Sequence, residues 1–321
     1  MNAATTIQIV CATDHNYVMP AGIMMSSLSW NNMQAYINFN VLIDNSVTEK
    51  DKKDIEKAIT WNRHKICFYL IDNTKLMNFP GLHRNGVYQT AAAYDRLFLT
   101  DILPKTIDKV LYLDDDIIVK GNIMRLWNTE MADCPIAAVT DMSEGILDYN
   151  RLGYPQEDGY FNSGVALINL KYWREHNALK TFLDIINSQS ERIYAHDQDV
   201  LNMAFHENKI RLPFTCNVQH GFYYKNEFLE LDYRKYESEL NDARENPLII
   251  HFTGKKPWKK FCNNPGTKTF LRYLRHSPWK YYKRQGSVLP ELKGILGKAA
   301  RYFNLIPPKS LPIYREEYKS N

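Results

Sequence analysis

No apolar run in this 321-residue chain approaches the roughly 18 residues that a membrane-spanning helix requires, so the sequence predicts no such span. Cysteine is sparse and without pattern: Cys11, Cys67, Cys134, Cys216 and Cys262 are odd in number, scattered, and show no Cys-x-x-Cys spacing. That excludes a disulfide framework and a zinc knuckle, and fits a reducing cytosol. A Gly-x-Gly-x-x-Gly turn and a Gly-Lys-Ser/Thr loop are both missing, which argues against a dinucleotide site and a P-loop. The N-terminus lacks a basic leader, and its short apolar stretch at 7–12 runs straight into Asp14, so no secretion signal is expected. What remains is an ordinary globular composition, 45% hydrophobic and 24% charged, with ample material for a core.

Charge is unevenly spread. From His251 to the end there are sixteen Lys and Arg against three Asp and Glu, which leaves 24 basic and 33 acidic residues, a net −9, in the first 250. A mildly acidic body with a strongly basic tail points to an anionic partner for the tail.

The apolar segments Ile7–Ala12, Phe39–Ile43 and Ile66–Ile71 read as buried strands, separated by helices at about Pro20–Trp30 and from Thr48 to Trp61, the latter opened by a Thr48 and Asp51 cap. This β-α-β-α-β start predicts a doubly wound α/β fold with a mostly parallel central sheet. Residues 73–88 read as a loop, Thr90–Leu103 as a helix carrying Arg96, Ile136–Thr140 as a strand with Asp141 at its tip, and Lys171–Ser188 as one helix. The small polar step Asn162–Ser163–Gly164 precedes an apolar strand, where it allows close backbone approach to a ligand. Asp197 and Gln198 open a helix running to about Phe205; taken alone, Asp197 is a helix cap.

The organising stretch is Val110–Leu113 followed by Asp114–Asp115–Asp116. A buried strand ending in carboxylates puts them at the tip where α/β sheets bind ligands, and alternation places Asp114 and Asp116 on one face with Asp115 turned away. Two like charges on one face are relieved by a divalent cation, which also favours phosphate oxygens; the bland alternative is an acidic turn. A strand at 248–251 delivers His251, an imidazole that would complete a set suited to Mn²⁺, and Gly254 then permits a turn toward Lys255 and Lys256, point charges for a diphosphate.

In this order, the motifs resemble those of glycosyltransferase family 8, retaining enzymes that include bacterial lipopolysaccharide galactosyl- and glucosyltransferases and, more distantly, glycogenin; the resemblance runs from about Ile7 to Trp258. It implies a single GT-A type nucleotide-diphospho-sugar transferase domain at 1–260, with 261–321 as a basic, aromatic-rich helical tail. It also implies Asp14 and Asn16 as contacts of uridine and ribose, Tyr17 stacked on the base, Arg96 neutralising the sugar nucleotide, and Asp115 in the cofactor-binding set. Asp114, Asp116 and His251 would hold Mn²⁺ or Mg²⁺, with Ser163, Gly164, Gly254 and Lys255 or Lys256 toward the UDP-sugar. Asp141, Asn162, Asp197 and Gln198 would hold the donor sugar around its anomeric carbon. The match at His251–Trp258 is one residue shorter than in the bacterial galactosyltransferases, which leaves open which lysine reaches the phosphate.

The implied activity is hexose transfer, glucose or galactose, from a UDP-hexose donor to a saccharide or glycolipid acceptor of a cell-surface glycan. Retention can proceed by double displacement through Gln198 or Asp197, or by attack on the face the leaving group departs from; a carboxamide is a feeble nucleophile, which favours the second course. A self-glycosylating glycogenin-like protein and a non-catalytic sugar-nucleotide binder are alternatives, as is a haloacid-type phosphatase, which also uses Asp-x-Asp after a strand but on an N-terminal one, so that a pair at 114–116 with His251 fits it poorly. In the tail, Leu292, Ile295, Leu296, Ala299 and Phe303 form an apolar stripe at about 100° per residue, opposite Lys293, Lys298 and Arg301. Such a helix suits an anionic bilayer surface, the alternative being a helix packed on the body with a solvated basic face; no nucleic-acid module is present, and the expected location is cytoplasmic and peripheral on the inner face of the membrane.

Overall fold

The structure, a computed structural model, describes residues 6–59, 64–71, 94–223 and 233–286. The loop expected at 73–88 and the amphipathic stripe at 288–303 lie outside the described residues.

The first strands and helices alternate: β1 (Thr6–Thr13), α1 (Val18–Asn31), β2 (Tyr36–Ile43), α2 (Glu49–Ala58) and β3 (Lys65–Leu70). α2 begins on the anticipated cap, with Thr48 Oγ1 accepting from the Asp51 amide at 3.2 Å and the Asp51 carboxylate accepting from the Thr48 amide at 2.9 Å. The remaining strands are β4 (Lys109–Leu113), β5 (Ile117–Val119), β6 (Ile136–Thr140), β7 (Phe161–Asn169), β8 (Ile210–Arg211) and β9 (Ile249–His251). Seven of them form one sheet in the order β3-β2-β1-β4-β7-β6-β8, while β5 and β9 pair antiparallel beside it.

β4 runs parallel to β1 but antiparallel to β7, so the sheet is mixed at the strand that carries the acidic tip. An apolar run records burial on both faces and says nothing of its neighbours' direction. Both faces are covered, as the two-residue alternation requires. Ile9, Leu111 and Leu167 face the side of α1, while Val10, Tyr112 and Ile168 face the opposite side. That second face is roofed by α3 (Leu170–Glu175), α4 (Ala178–Ser188) and α5 (His196–Phe205).

Three local expectations are corrected. The helix expected at 171–188 is two, because Asn177 adopts left-handed φ 50°, a conformation that an asparagine tolerates better than most residues. Within the expected 90–103 helix, the described part is a 3₁₀ turn at Asp95–Phe98 followed by one α turn at Leu99–Ile102. Asn162–Ser163–Gly164 lies inside β7 rather than before it. There the β6–β7 register shifts, Ala138 facing Ala166 and Val139 facing Asn162, and such an irregularity re-aims side chains beside it.

Beyond the body, α6 (Tyr233–Glu245) packs on the α1 face of the sheet through Leu240 and Ala243. The basic segment through Gly286 also lies on the body. Its helix α7 (Thr267–Arg275) buries Phe270 and Leu274 with Met19, Ile23 and Trp258, and turns Lys268, Arg272 and Arg275 outward. No helix of the described residues is long and apolar enough to cross a membrane. Phe270→Ala is expected to cost about 3 kcal/mol of folding stability, read from the urea midpoint, as for a large side chain removed from a core. A loss below about 1 kcal/mol would mean that this helix is not part of the folded body.

Candidate active site

β4 ends at Leu113, and the next backbone step is held in the sheet: the Asp114 amide donates to the Gly164 carbonyl at 2.8 Å. β5 then pairs Ile117 with His251 on β9, so two chain segments far apart in sequence bring the histidine over the carboxylates. One ligating atom from each of Asp114, Asp116 and His251 lies within 4.8 Å of the others.

The carboxylates divide their oxygens. Asp114 Oδ1 accepts from Arg96 Nη2 at 2.8 Å, and Asp116 Oδ2 accepts from the Lys256 ammonium. The other two oxygens, Asp114 Oδ2 and Asp116 Oδ1, face His251 Nε2 at 3.6 and 3.2 Å. Burial would raise the Asp116 pKa, but Lys256 and His251 hold it below the usual carboxylate range. Two carboxylate oxygens converging with an imidazole nitrogen form a donor set that fits Mn²⁺ or a similar cation. Gly164 makes the convergence possible, since a Cβ there would stand 2.3 Å from His251 Cε1 and 2.4 Å from Asp114 Oδ2.

Arg96 is a buried clamp. Its Nη1 donates to the Ser163 carbonyl at 2.7 Å, its Nε lies 2.9 Å from Asp197 Oδ2, and the guanidinium stacks 4.0 Å over the Tyr112 ring. Burial pushes the Asp197 carboxyl up to about 6 against the opposing pull of Arg96. Beside it, Gln198 Oε1 accepts from the Ser163 amide at 3.0 Å and from Asn162 Nδ2 at 3.2 Å, while its Nε2 donates to Asp141 Oδ2 at 3.2 Å.

At the tip of β1 the Asp14 carboxylate accepts from the Asn16 and Tyr17 amides at 2.8 and 3.1 Å, folding the turn that leaves Asn16 and Tyr17 exposed. Tyr17 meets Trp258 edge-on at 5.8 Å.

Residues 8–262 match the family described as Glycosyl transferase family 8. The chain belongs to glycosyltransferase family 8. Among its family 8 relatives, the lipopolysaccharide 1,2-glucosyltransferase of Escherichia coli (strain K12) is 30% identical, the alignment covering 87% of this chain and 81% of that protein. The lipopolysaccharide 1,3-galactosyltransferase of Salmonella typhimurium is 31% identical over 87% of this chain and 80% of that protein. A crystal structure of the galactosyltransferase LgtC, in complex with donor and acceptor sugar analogs, superposes with TM-score 0.73 and 25% identity, covering 85% of this chain and 96% of that one. The fold is therefore of the GT-A type, and the chain is a glycosyltransferase.

On this family 8 framework, Asp114, Asp116, His251, Arg96, Ser163, Gly164, Asp197 and Lys256 form one contiguous cluster, joined through Gln198 and Asn162 to Asp141. Of the two lysines, Lys256 reaches the acidic pair, while Lys255 is exposed. Gly254 borders His220, whose Cδ2 would stand 2.8 Å from a Cβ at that position. Asp115 is buried, its Oδ1 has no hydrogen-bond partner among the described residues, and burial raises its pKa well above the carboxylate range. Sequence reasoning missed Asn217, which lies 3.0 Å from His251 Nδ1; a lone asparagine between Cys216 and Val218 carries no signal of its own. It also missed the pairing of Arg151 with Asp199 at 2.7 Å, which holds the start of α5.

Asp95, next to Arg96, is buried, and its Oδ1 has no hydrogen-bond partner among the described residues. Burial, reinforced by Asp44 and opposed by Arg96, pushes it up to about 7. A raised carboxyl stabilises the fold fully below the unfolded-state value near 4, and that contribution is lost as pH rises through about 7. Urea unfolding of the wild type is expected to show an Asp95 contribution falling by about 1.4 kcal/mol per pH unit across that window, absent from Asp95→Asn. Parallel pH curves for the two proteins would show that Asp95 ionises normally.

Proposed function

We propose that this family 8 enzyme is a metal-dependent, retaining hexosyltransferase. It moves glucose or galactose from a UDP-sugar to a saccharide acceptor of a cell-surface glycan such as lipopolysaccharide. The observation that carries the reading is the meeting of Asp114 Oδ2, Asp116 Oδ1 and His251 Nε2 at the ends of strands from two sheets. The glucosyl- and galactosyltransferase relatives support the hexose and the class of acceptor.

Asp114, Asp116 and His251 would hold Mn²⁺ or Mg²⁺, which would supply Lewis-acid stabilisation of the diphosphate. Lys256, already beside Asp116, adds a fixed cation where negative charge grows as the anomeric C–O bond breaks. Asp14, Asn16 and Tyr17 line the tip of β1 for the uridine, and the buried Asp115 belongs to the same nucleotide-binding set. Ser163, Gly164, Gly254 and Lys255 border the donor. Arg96 acts on the donor through the carboxylates it clamps, because its arms are engaged by Asp114, Asp197 and the Ser163 carbonyl.

Asp141, Asn162, Asp197 and Gln198 hold the transferred sugar. Gln198 is a poor nucleophile whose carbonyl oxygen already accepts from the Ser163 amide, and Asp197 is tied to Arg96 and the Ser163 hydroxyl. Both facts favour same-face attack. In that step the acceptor oxygen bonds to the anomeric carbon as the phosphate oxygen leaves, and the departing oxygen takes the hydroxyl proton.

With UDP-glucose or UDP-galactose, Mn²⁺ and a lipopolysaccharide-core acceptor, the protein is expected to release UDP. Asp116→Asn is expected to lower that release roughly 100-fold or more, the scale of losing a preorganised electrostatic group. Absence of UDP release from every donor tested, with folded protein, overturns the assignment.

The basic segment gives the enzyme a place to work. Lys268, Arg272 and Arg275 face outward, and Phe261 and Tyr281 are exposed in the same segment, a composition suited to the headgroup level of an anionic bilayer at the cytoplasmic face of the membrane. Co-sedimentation with phosphatidylglycerol vesicles is expected to be weaker for the triple variant Lys268→Gln, Arg272→Gln, Arg275→Gln than for wild type. Equal partitioning removes the membrane role of the tail.

A further inference from the structure

A line of buried amides joins the sugar side of the cluster to the histidine. Asn162 Nδ2 donates to Asp141 Oδ2 at 2.8 Å, Asn217 Nδ2 donates to Asn162 Oδ1 at 2.8 Å, and Asn217 Oδ1 meets His251 Nδ1 at 3.0 Å. Asn217 is fully buried, and Asp141, Asn162 and His251 are nearly so.

The polarity of this chain is dictated at its origin. An ionised carboxylate only accepts and a backbone amide only donates, so Asp141 fixes the amino end of Asn162 while the Gly164 amide, 3.0 Å from Asn162 Oδ1, fixes its carbonyl end. Asn217 then has no choice but to offer its amino group to Asn162 and its carbonyl to His251. The imidazole therefore carries a proton on Nδ1, and Nε2 is the nitrogen left facing Asp114 and Asp116, where a divalent cation would replace its proton.

We infer that Asn217 is a positioning residue. It transmits the orientation set by Asp141 to His251 and so fixes the tautomer and ring angle with which the histidine meets a divalent cation. Metal-bound histidines commonly donate their second N–H to such an outer partner, whose removal weakens metal binding by roughly 10- to 100-fold. The inference rests on the proposed metal role of His251 and adds to it a reason why one asparagine, remote from any substrate, is required.

The test uses Mn²⁺ alone, with free ion counted by electron paramagnetic resonance on full-length protein. Asn217→Ala is expected to bind Mn²⁺ roughly 10- to 100-fold more weakly than wild type. Asn217→Asp, which still accepts from Nδ1 but can no longer donate to Asn162, is expected to fall between the two. A merely structural asparagine predicts the reverse order, because a buried carboxylate disturbs packing more than a methyl group does. Nitrogen-15 spectra of histidine-labelled, metal-free wild type at a pH where the imidazole is neutral, assigned against His251→Gln, are expected to show His251 protonated at Nδ1. That measurement decides the matter even if the alanine variant does not fold. Equal Mn²⁺ affinity in wild type and Asn217→Ala, or a proton on Nε2, overturns the relay and leaves the metal site standing. No Mn²⁺ binding by wild type overturns both.

Discussion

The structure depends on keeping Asp114 and Asp116 close together at a strand end, where two unit charges 4 Å apart repel by about 4 kcal/mol at an effective dielectric near 20. The protein offsets that repulsion by giving each carboxylate its own cation, Arg96 for Asp114 and Lys256 for Asp116, on the outer oxygens only. The inner oxygens are left converging on His251. A pair neutralised on all sides would be an inert buried ion cluster; neutralised on one side, it is a site with a direction.

Arg96 extends the same arrangement to a third carboxylate. By bridging Asp114, Asp197 and the Ser163 carbonyl, it locks the tip of β4, the strand β7 and the first turn of α5 into one body. The register shift between β6 and β7 serves this body directly, since it falls where Asn162 and Ser163 turn toward Asp141, Asp197 and Gln198. Regular pairing through that point would continue the two-residue alternation of the strand.

The basic C-terminal segment through Gly286 behaves as a covering layer, with Phe270, Leu274 and Trp258 closing the core under α1 while the cations face water. Amphipathic spacing in such a helix reports that one face is apolar and leaves open whether protein or lipid meets it.

The sequence by itself determined the alternating order of the first strands and helices, the cap at Thr48, the acidic tip at Asp114–Asp116 and the candidacy of His251. Those follow from local rules: apolar runs bury, small polar residues cap, and a two-residue period sorts neighbouring carboxylates onto opposite faces. It could not reveal that β4 has an antiparallel neighbour, that Asn177 breaks a helix, or that Lys256 rather than Lys255 turns inward. Nor could it single out Asn217, an ordinary residue type with no spacing to mark it. Only the tertiary structure decided these, because each depends on what lies across space from a side chain. Strand direction, hydrogen-bond polarity and the pairing of a buried charge are fixed by partners that the local sequence does not contain.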